Sequence, residues 1–195
     1  MQTNLRIRYF VSGIALLLGL LMMGGVHGFG QRGSVETIDA TAFGTSTQLG
    51  KNFGVKLIIY DFSSPEDRQA LVQAFAKGQN DGLVNALEKM KAVGRITIPG
   101  TLGYDVSYIR EIITPTGRTI RFVTNRKLAF GESYWNTQTK SFNLTAGEIN
   151  LDDKDKSKSG GVLYPAAQLI VNKEGELQFE LNQNAWKLVN IIEWK

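Results

Sequence analysis

The chain of 195 residues has no cysteine, and its one histidine is His27. Ser-His-Asp and Cys-His mechanisms need an imidazole base, and zinc sites are usually built from imidazole and thiolate ligands. If His27 is removed with an N-terminal signal, the remaining chain can support none of these. We therefore predict no catalytic residue, no metal site and no cofactor.

The N-terminal region has little charge, and what it has is positive. Arg6 and Arg8 precede an uncharged apolar stretch from Val11 to Val26. This stretch is shorter than the about 20 residues of a membrane-spanning helix, and small residues follow it, as in a secretory signal. We predict a signal peptide at residues 1–28, cleavage near Gly28, and export to the periplasm or the cell exterior. The alternative is an uncleaved N-terminal anchor.

The net charge is small once the signal is set aside. Loss of Arg6 and Arg8 lowers the formal charge from +4 to +2. A charge of this size does not indicate nucleic acid binding. The predicted partner is an unknown small molecule or envelope component, with no nucleic acid and no stable membrane span after cleavage.

The rest of the chain divides into a leader and one domain. Residues 29–52 are rich in Gly, Ser and Thr and show no period, which predicts a flexible leader. Residues 53–195 are predicted to form a single β-rich domain, since this length suits one core. Val55–Phe62 is a β-branched and aromatic run typical of a buried strand.

Two stretches after this strand have helical character. Ser63 or Ser64 can cap the first stretch, an apolar stripe follows, and Gly78 ends it. Asp81 can cap the second, which ends at Gly94. The pattern predicts a two-helix hairpin inserted after the first strand.

After Gly94 the apolar residues alternate with period two, and Gly-containing turns separate the runs. Short turns between consecutive strands indicate antiparallel pairing. The predicted fold is α+β and mostly β: a bent antiparallel sheet or partly open β-barrel of about seven strands. A helix-grip fold is the alternative, but that fold ends in a long helix and this chain ends in WKLVNIIEW, Trp186–Trp194.

Three stretches carry a family resemblance: ALEKMKAVGRITIPGTLGYDVSYIR, GRTIRFVTNRKLAFGESYW and AWKLVNIIEWK. They resemble an uncharacterised family of secreted bacterial proteins, and the resemblance covers most of residues 55–195. It implies export and a single domain. The family has no assigned activity, so the resemblance implies no site residue.

Candidate ligand-binding residues are few. Arginines recur in the strand region, and Arg110, Arg121 and Arg126 could share a face that binds an anion, because guanidinium pairs well with carboxylate and phosphate. Tyr134 and Trp135 stand between strands and could stack on a ligand. The alternatives are polar residues on an exposed sheet face and aromatic residues that pack on a barrel mouth.

Carboxylates are the one catalytic residue type left in numbers, and a glycosidase needs two of them across a cleft; a Ser–Lys dyad is a further alternative. The candidate catalytic carboxylates are Glu111, Glu132 and Glu148, but their spacing in the sequence does not show whether they lie close together in space. The charged stretch 151–162 has the first oxygens of a calcium loop at Asp153 and Asp155 but neither the Gly nor the Glu that the loop requires. We interpret it as a hairpin tip.

The predicted function is therefore an exported binding or interaction module. The alternatives are a carboxylate-dependent hydrolase acting on polysaccharide and a structural envelope protein.

Overall fold

A computed structural model describes residues 35–128, 142–171, 177–181 and 185–195. The described elements are β1 (Glu36–Phe43), β2 (Asn52–Ile59), α1 (Pro65–Lys89), β3 (Gly94–Thr97), β4 (Tyr104–Thr114), β5 (Gly117–Thr124), β6 (Leu144–Asp152), β7 (Gly160–Val171), β8 (Leu177–Leu181) and β9 (Trp186–Trp194).

Eight of these strands form a closed antiparallel barrel. Their order around it is β6-β5-β4-β3-β2-β1-β9-β7, and β7 pairs back with β6 to close the ring. Strand β8 pairs with the second half of β7 and adds a ninth strand to the sheet. The mostly β, antiparallel prediction is confirmed, but the barrel is closed by eight strands where the sequence predicts a bent sheet or a partly open barrel of about seven.

Alternate side chains of the strands fill the barrel interior, as expected for eight strands. The interior cluster includes Ile38, Leu57, Ile96, Ile120, Phe122 and Leu188, each at most 1% exposed. Gly147 lies opposite Phe122 on the neighbouring strand. A Cβ built on Gly147 would lie 2.2 Å from Cζ of Phe122, so the missing side chain leaves room for the ring.

The prediction of a flexible leader at residues 29–52 needs correction, because β1 lies inside that segment. Its burial alternates along the strand, and Ile38, Ala40 and Ala42 point into the core. Strand β1 pairs with both β2 and β9. Two of the three inward residues are alanines, so the alternation gave a weak apolar signal.

The predicted two-helix hairpin is not seen: the structure has one bent helix, and it follows the second strand. Ser64 and Asp67 form a reciprocal capping box at its start. The bend falls at Gly78 and Gln79, whose backbone angles are not helical. Within the described ranges no helix combines the length and apolar character needed to cross a membrane.

We expect Gly147→Ala to lower the free energy of unfolding by about 1–3 kcal/mol, because the added methyl group must displace Phe122 in a packed core. Gly160→Ala is the matched control, since a Cβ there meets its nearest neighbour, the carbonyl oxygen of Leu188, at an ordinary 3.5 Å. Urea denaturation measures both. Equal stability of the two variants would contradict the proposed role of Gly147.

Candidate functional site

A groove of about 540 Å³ lies between α1 and the outer face of β4 to β7. This volume lies within the range of small-molecule sites, about 300–1,000 Å³. Its described lining is Arg68, Leu71, Val72, Phe75, Leu83, Leu87, Tyr108, Arg110, Arg121, Phe122, Val123, Ala146, Gly147, Glu148, Val162, Tyr164 and Leu169.

Hydrogen bonds at two points hold α1 over this face. Before the helix, Ser63 N donates to the carbonyl oxygen of Ile109 at 2.8 Å, and Ser63 Oγ accepts from Ile109 N at 3.0 Å. Just after the bend, Asn80 Nδ2 donates to Asn143 Oδ1 at 2.7 Å, and Asn80 Oδ1 accepts from Leu169 N at 3.1 Å. The roof of the groove is thus fixed to the barrel at its start and at its bend.

Apolar side chains from both halves of α1 cover the barrel. Leu71 and Phe75 precede the bend, and Leu83 and Leu87 follow it. All four join a cluster with Leu144 of β6, separate from the cluster inside the barrel. The outer face of this part of the barrel therefore carries an apolar patch, although outer faces of sheets are commonly polar.

The floor of the groove consists of two rows of side chains that run across the four strands. Strand register aligns Tyr108, Val123, Ala146 and Tyr164 in one row. The same register aligns a second row, two residues further along each strand: Arg110, Arg121, Glu148 and Val162. An apolar row thus borders a charged row, at a spacing of about 7 Å along the strands.

Positive charge exceeds negative charge along the described lining. Arg121 Nε donates to Glu148 Oε2 at 2.7 Å, and Asn150 Nδ2 reaches the other oxygen of Glu148 at 3.3 Å. Arg68 and Arg110 form no side-chain hydrogen bond or ion pair within the described residues. One carboxylate therefore faces three guanidinium groups.

The structure brings together two of the predicted ligand-binding residues. Arg110 and Arg121 are direct partners on β4 and β5. Arg126 lies apart from them, with its guanidinium carbon 5.2 Å from the ring centroid of Tyr104. Tyr134 and Trp135 lie outside the described residues, as does Glu132.

The sequence analysis missed the contribution of the helix and of β7. Arg68 is a residue in the first turns of α1, where a charged side chain is ordinary. Tyr164 stands in an apolar run that predicts only a strand. Arg110 and Arg121 could be identified from the sequence because both lie on predicted strands. The sequence does not indicate which face of the sheet α1 covers.

A second cluster of charged side chains lies at one end of the barrel. Arg118, at the start of β5, binds Glu36, Glu111 and Glu193 from β1, β4 and β9. The Arg118 side chain is 11% exposed, and its Nη1 lies 2.7 Å from Glu111 Oε1. We call these four residues the Arg118 cluster. It joins four strands through a single guanidinium group.

The pKa values of Glu36 and Glu193 in the Arg118 cluster are shifted in opposite directions. Burial raises the pKa of Glu36 despite its hydrogen bond with Arg118. Burial acts on Glu193 as well, but hydrogen bonds from Lys195 and Arg118 outweigh it and hold the pKa of that carboxyl below its ordinary value. Burial alone would lower the pKa of Arg118, and the hydrogen bonds to Glu111, Glu36 and Glu193 reverse this and raise it.

The Arg118 cluster is not a carboxylate pair of the kind that a glycosidase uses. A glycosidase needs two carboxylates across a space that holds the substrate, whereas Arg118 stands between the carboxylates here. The nominated Glu111 binds Arg118, and Glu148 binds Arg121 on the outer face. These two carboxylates therefore do not form a pair.

The charged stretch 151–162 forms the connection between β6 and β7, as the sequence analysis predicts. Asp152 Oδ1 accepts from the backbone N–H groups of Lys154 and Asp155 at 2.9 and 2.8 Å. Asp155 Oδ1 accepts from Ser157 N and Ser157 Oγ. These oxygens serve the turn itself. Among the described residues no group of three His, Cys, Asp or Glu side chains could hold a metal ion.

Comparisons with protein-family models, with curated proteins and with solved structures found no match. The resemblance to an uncharacterised secreted family therefore stays a prediction.

We expect Arg118→Met to destabilise the fold by about 3–5 kcal/mol, because it leaves the nearly buried carboxylate of Glu36 without an ion-pair partner among the described residues. Arg121→Met is the matched control: its side chain is 57% exposed, and an exposed ion pair contributes about 0–1 kcal/mol. Urea denaturation compares the two. Adding Glu36→Gln and Glu193→Gln to Arg118→Met should restore part of the loss, and no recovery would contradict the charge explanation.

We expect Glu36→Gln and Glu193→Gln to change the pH dependence of stability in opposite directions. Because the pKa of Glu36 is raised in the folded state, this group contributes to the free energy of unfolding below its ordinary pKa, and the contribution is lost as pH rises. Because the pKa of Glu193 is lowered in the folded state, this group contributes to the free energy of unfolding above its ordinary pKa, and the contribution is lost as pH falls. Relative to the wild type, Glu36→Gln should therefore gain stability as pH rises from about 3 to about 7, and Glu193→Gln should lose it.

Denaturation at steps of pH over this range measures both differences. Slopes of the same sign for the two variants would show that the two carboxylates are not distinguished in this way.

Proposed function

We propose that this protein is an exported binding module, and that its ligand occupies the groove between α1 and the outer face of the barrel. The observation that carries the proposal is a groove of about 540 Å³ with a largely apolar lining and three arginines beside it. Concave, mostly apolar sites with a few polar groups are the usual form of small-molecule sites.

The packed barrel interior supports this location. Many eight-stranded barrels either fill their interior with side chains or hold one small ligand there. Here Phe122 and Gly147 interlock inside the barrel, and Ile96, Ile109 and Ile120 are fully buried beside them. A ligand is therefore better accommodated on the outer face, where α1 leaves space above the two rows of side chains.

The fixed position of α1 also supports a preformed site. The hydrogen bonds of Ser63 and Asn80 hold the helix against the barrel. A preformed site avoids the entropic cost of ordering a loop during binding. The groove can then be tested with simple apolar probes.

Export remains part of the proposal on sequence grounds alone. Arg6, Arg8 and the apolar stretch from Val11 to Val26 support it, and they lie outside the described residues.

We expect the neutral probe decanol to bind in the groove and Val162→Trp to weaken its binding at least about tenfold, because the indole would occupy space above the charged row. Val162 is half-buried on the groove floor, so the larger side chain can point into the groove while the interior stays packed. Isothermal titration calorimetry measures the affinity. Longer alkanols should bind more tightly, by about fourfold for each added CH₂ group.

Val189→Trp is the matched control, since Val189 is a half-buried residue of β9 that does not line the groove. Thermal unfolding checks that both variants are folded. A second variant, Tyr164→Trp, places a fluorescent side chain on the groove floor as an independent reporter. Decanol binding that is absent, or that Val162→Trp leaves unchanged, would refute the proposed site.

A further inference from the structure

We infer that the ligand of the groove is a single-chain amphipathic anion, with an apolar chain of the fatty-acyl type and a carboxylate or phosphate head. This inference rests on the proposed function, which requires only an apolar ligand in the groove. The inference adds the chemical class of the ligand's head group, which follows from the charged side chains beside the apolar surface of the groove.

The charged side chains of the groove carry an excess of positive charge. Arg68, Arg110 and Arg121 line the groove, and Glu148 is the one carboxylate in the described lining. Glu148 is already engaged by Arg121. Two guanidinium groups are therefore left without an ion-pair partner among the described residues, at the edge of an apolar surface.

Two like charges stand directly opposite each other on the groove floor. Arg110 and Arg121 stand opposite each other on β4 and β5, and like charges in directly opposed positions of a sheet are unfavourable. An anion between or beside the two side chains would remove this repulsion. Guanidinium groups also bind carboxylate and phosphate through two parallel hydrogen bonds.

The floor of the groove places an apolar row of side chains beside a charged row. The row with Tyr108, Val123, Ala146 and Tyr164 is apolar over most of its surface, and the charged row with Arg110 and Arg121 lies beside it on the same strands. The two rows are about 7 Å apart. A chain that lies on the apolar row thus places a head group at its end within reach of the arginines.

The experiment compares three probes with the same ten-carbon chain and different heads: decanoate, decanol and decyltrimethylammonium. Isothermal titration calorimetry with the chain that remains after the predicted cleavage, residues 29–195, gives each affinity below the micelle-forming concentration. We expect decanoate to bind roughly tenfold or more tightly than decanol, because hydrogen bonds to charged groups are worth that much. Decyltrimethylammonium should bind more weakly than decanol.

Variants assign the preference to the arginines. Arg110→Gln and Arg121→Gln should each weaken decanoate binding about tenfold and should change decanol binding by a much smaller factor. Glu148→Gln should act in the opposite direction and strengthen decanoate binding, because it removes a repelling charge and releases Arg121. Arg126→Gln is the matched control, since Arg126 lies over Tyr104 and away from the groove.

The outcomes separate this inference from the proposed function. If decanol and decanoate bind equally and the arginine variants change neither, the anion class is wrong while the groove remains the site. If none of the probes binds, the proposed function fails and the inference fails with it. Salt provides an independent check, since the preference for decanoate should shrink at high ionic strength, and a preference that salt does not change would overturn the role of charge.

Discussion

Closure of eight strands around a filled interior is the constraint on which the rest of this structure depends. An eight-stranded barrel has an interior that side chains can just fill, and here Phe122 takes the space that Gly147 leaves open. Residues that point outward must then find a second layer or meet water. The bent helix α1 supplies that layer over β4 to β7, and the groove is the space that its two halves do not fill.

Strand β5 links the Arg118 cluster to the groove. Arg118 and Arg121 are three residues apart, so a period of two places them on opposite faces of the sheet. The first is nearly buried among three carboxylates, and the second is mostly exposed beside one. Two arginines of similar sequence context thus have different roles: Arg118 joins four strands at one end of the barrel, and Arg121 contributes charge to the outer face.

Sequence reasoning reached the strand content and part of the site, and its errors have physical causes. Arg110 and Arg121 were identifiable because both stand on strands with clear alternation. Strand β6 is harder to interpret from the sequence, since Leu144 packs under α1 while Ile149 points into the barrel, so apolar residues lie on both faces of the strand. Strand β1 was missed because two of its inward residues are alanines, so its composition resembles that of a leader rich in small and polar residues. Register between strands, which aligns the two rows of the floor, is not readable from one sequence.

The charges beside the groove also connect binding to stability. Opposed guanidinium groups on β4 and β5 weaken the sheet where it supports α1, and Glu148 can neutralise only one of them. Whatever binds the folded state and not the unfolded chain stabilises the fold by mass action. An anion that occupies the groove would therefore reinforce the same strands that form its floor. The Arg118 cluster differs in this respect, because its single cation is already paired with three carboxylates of the same barrel end.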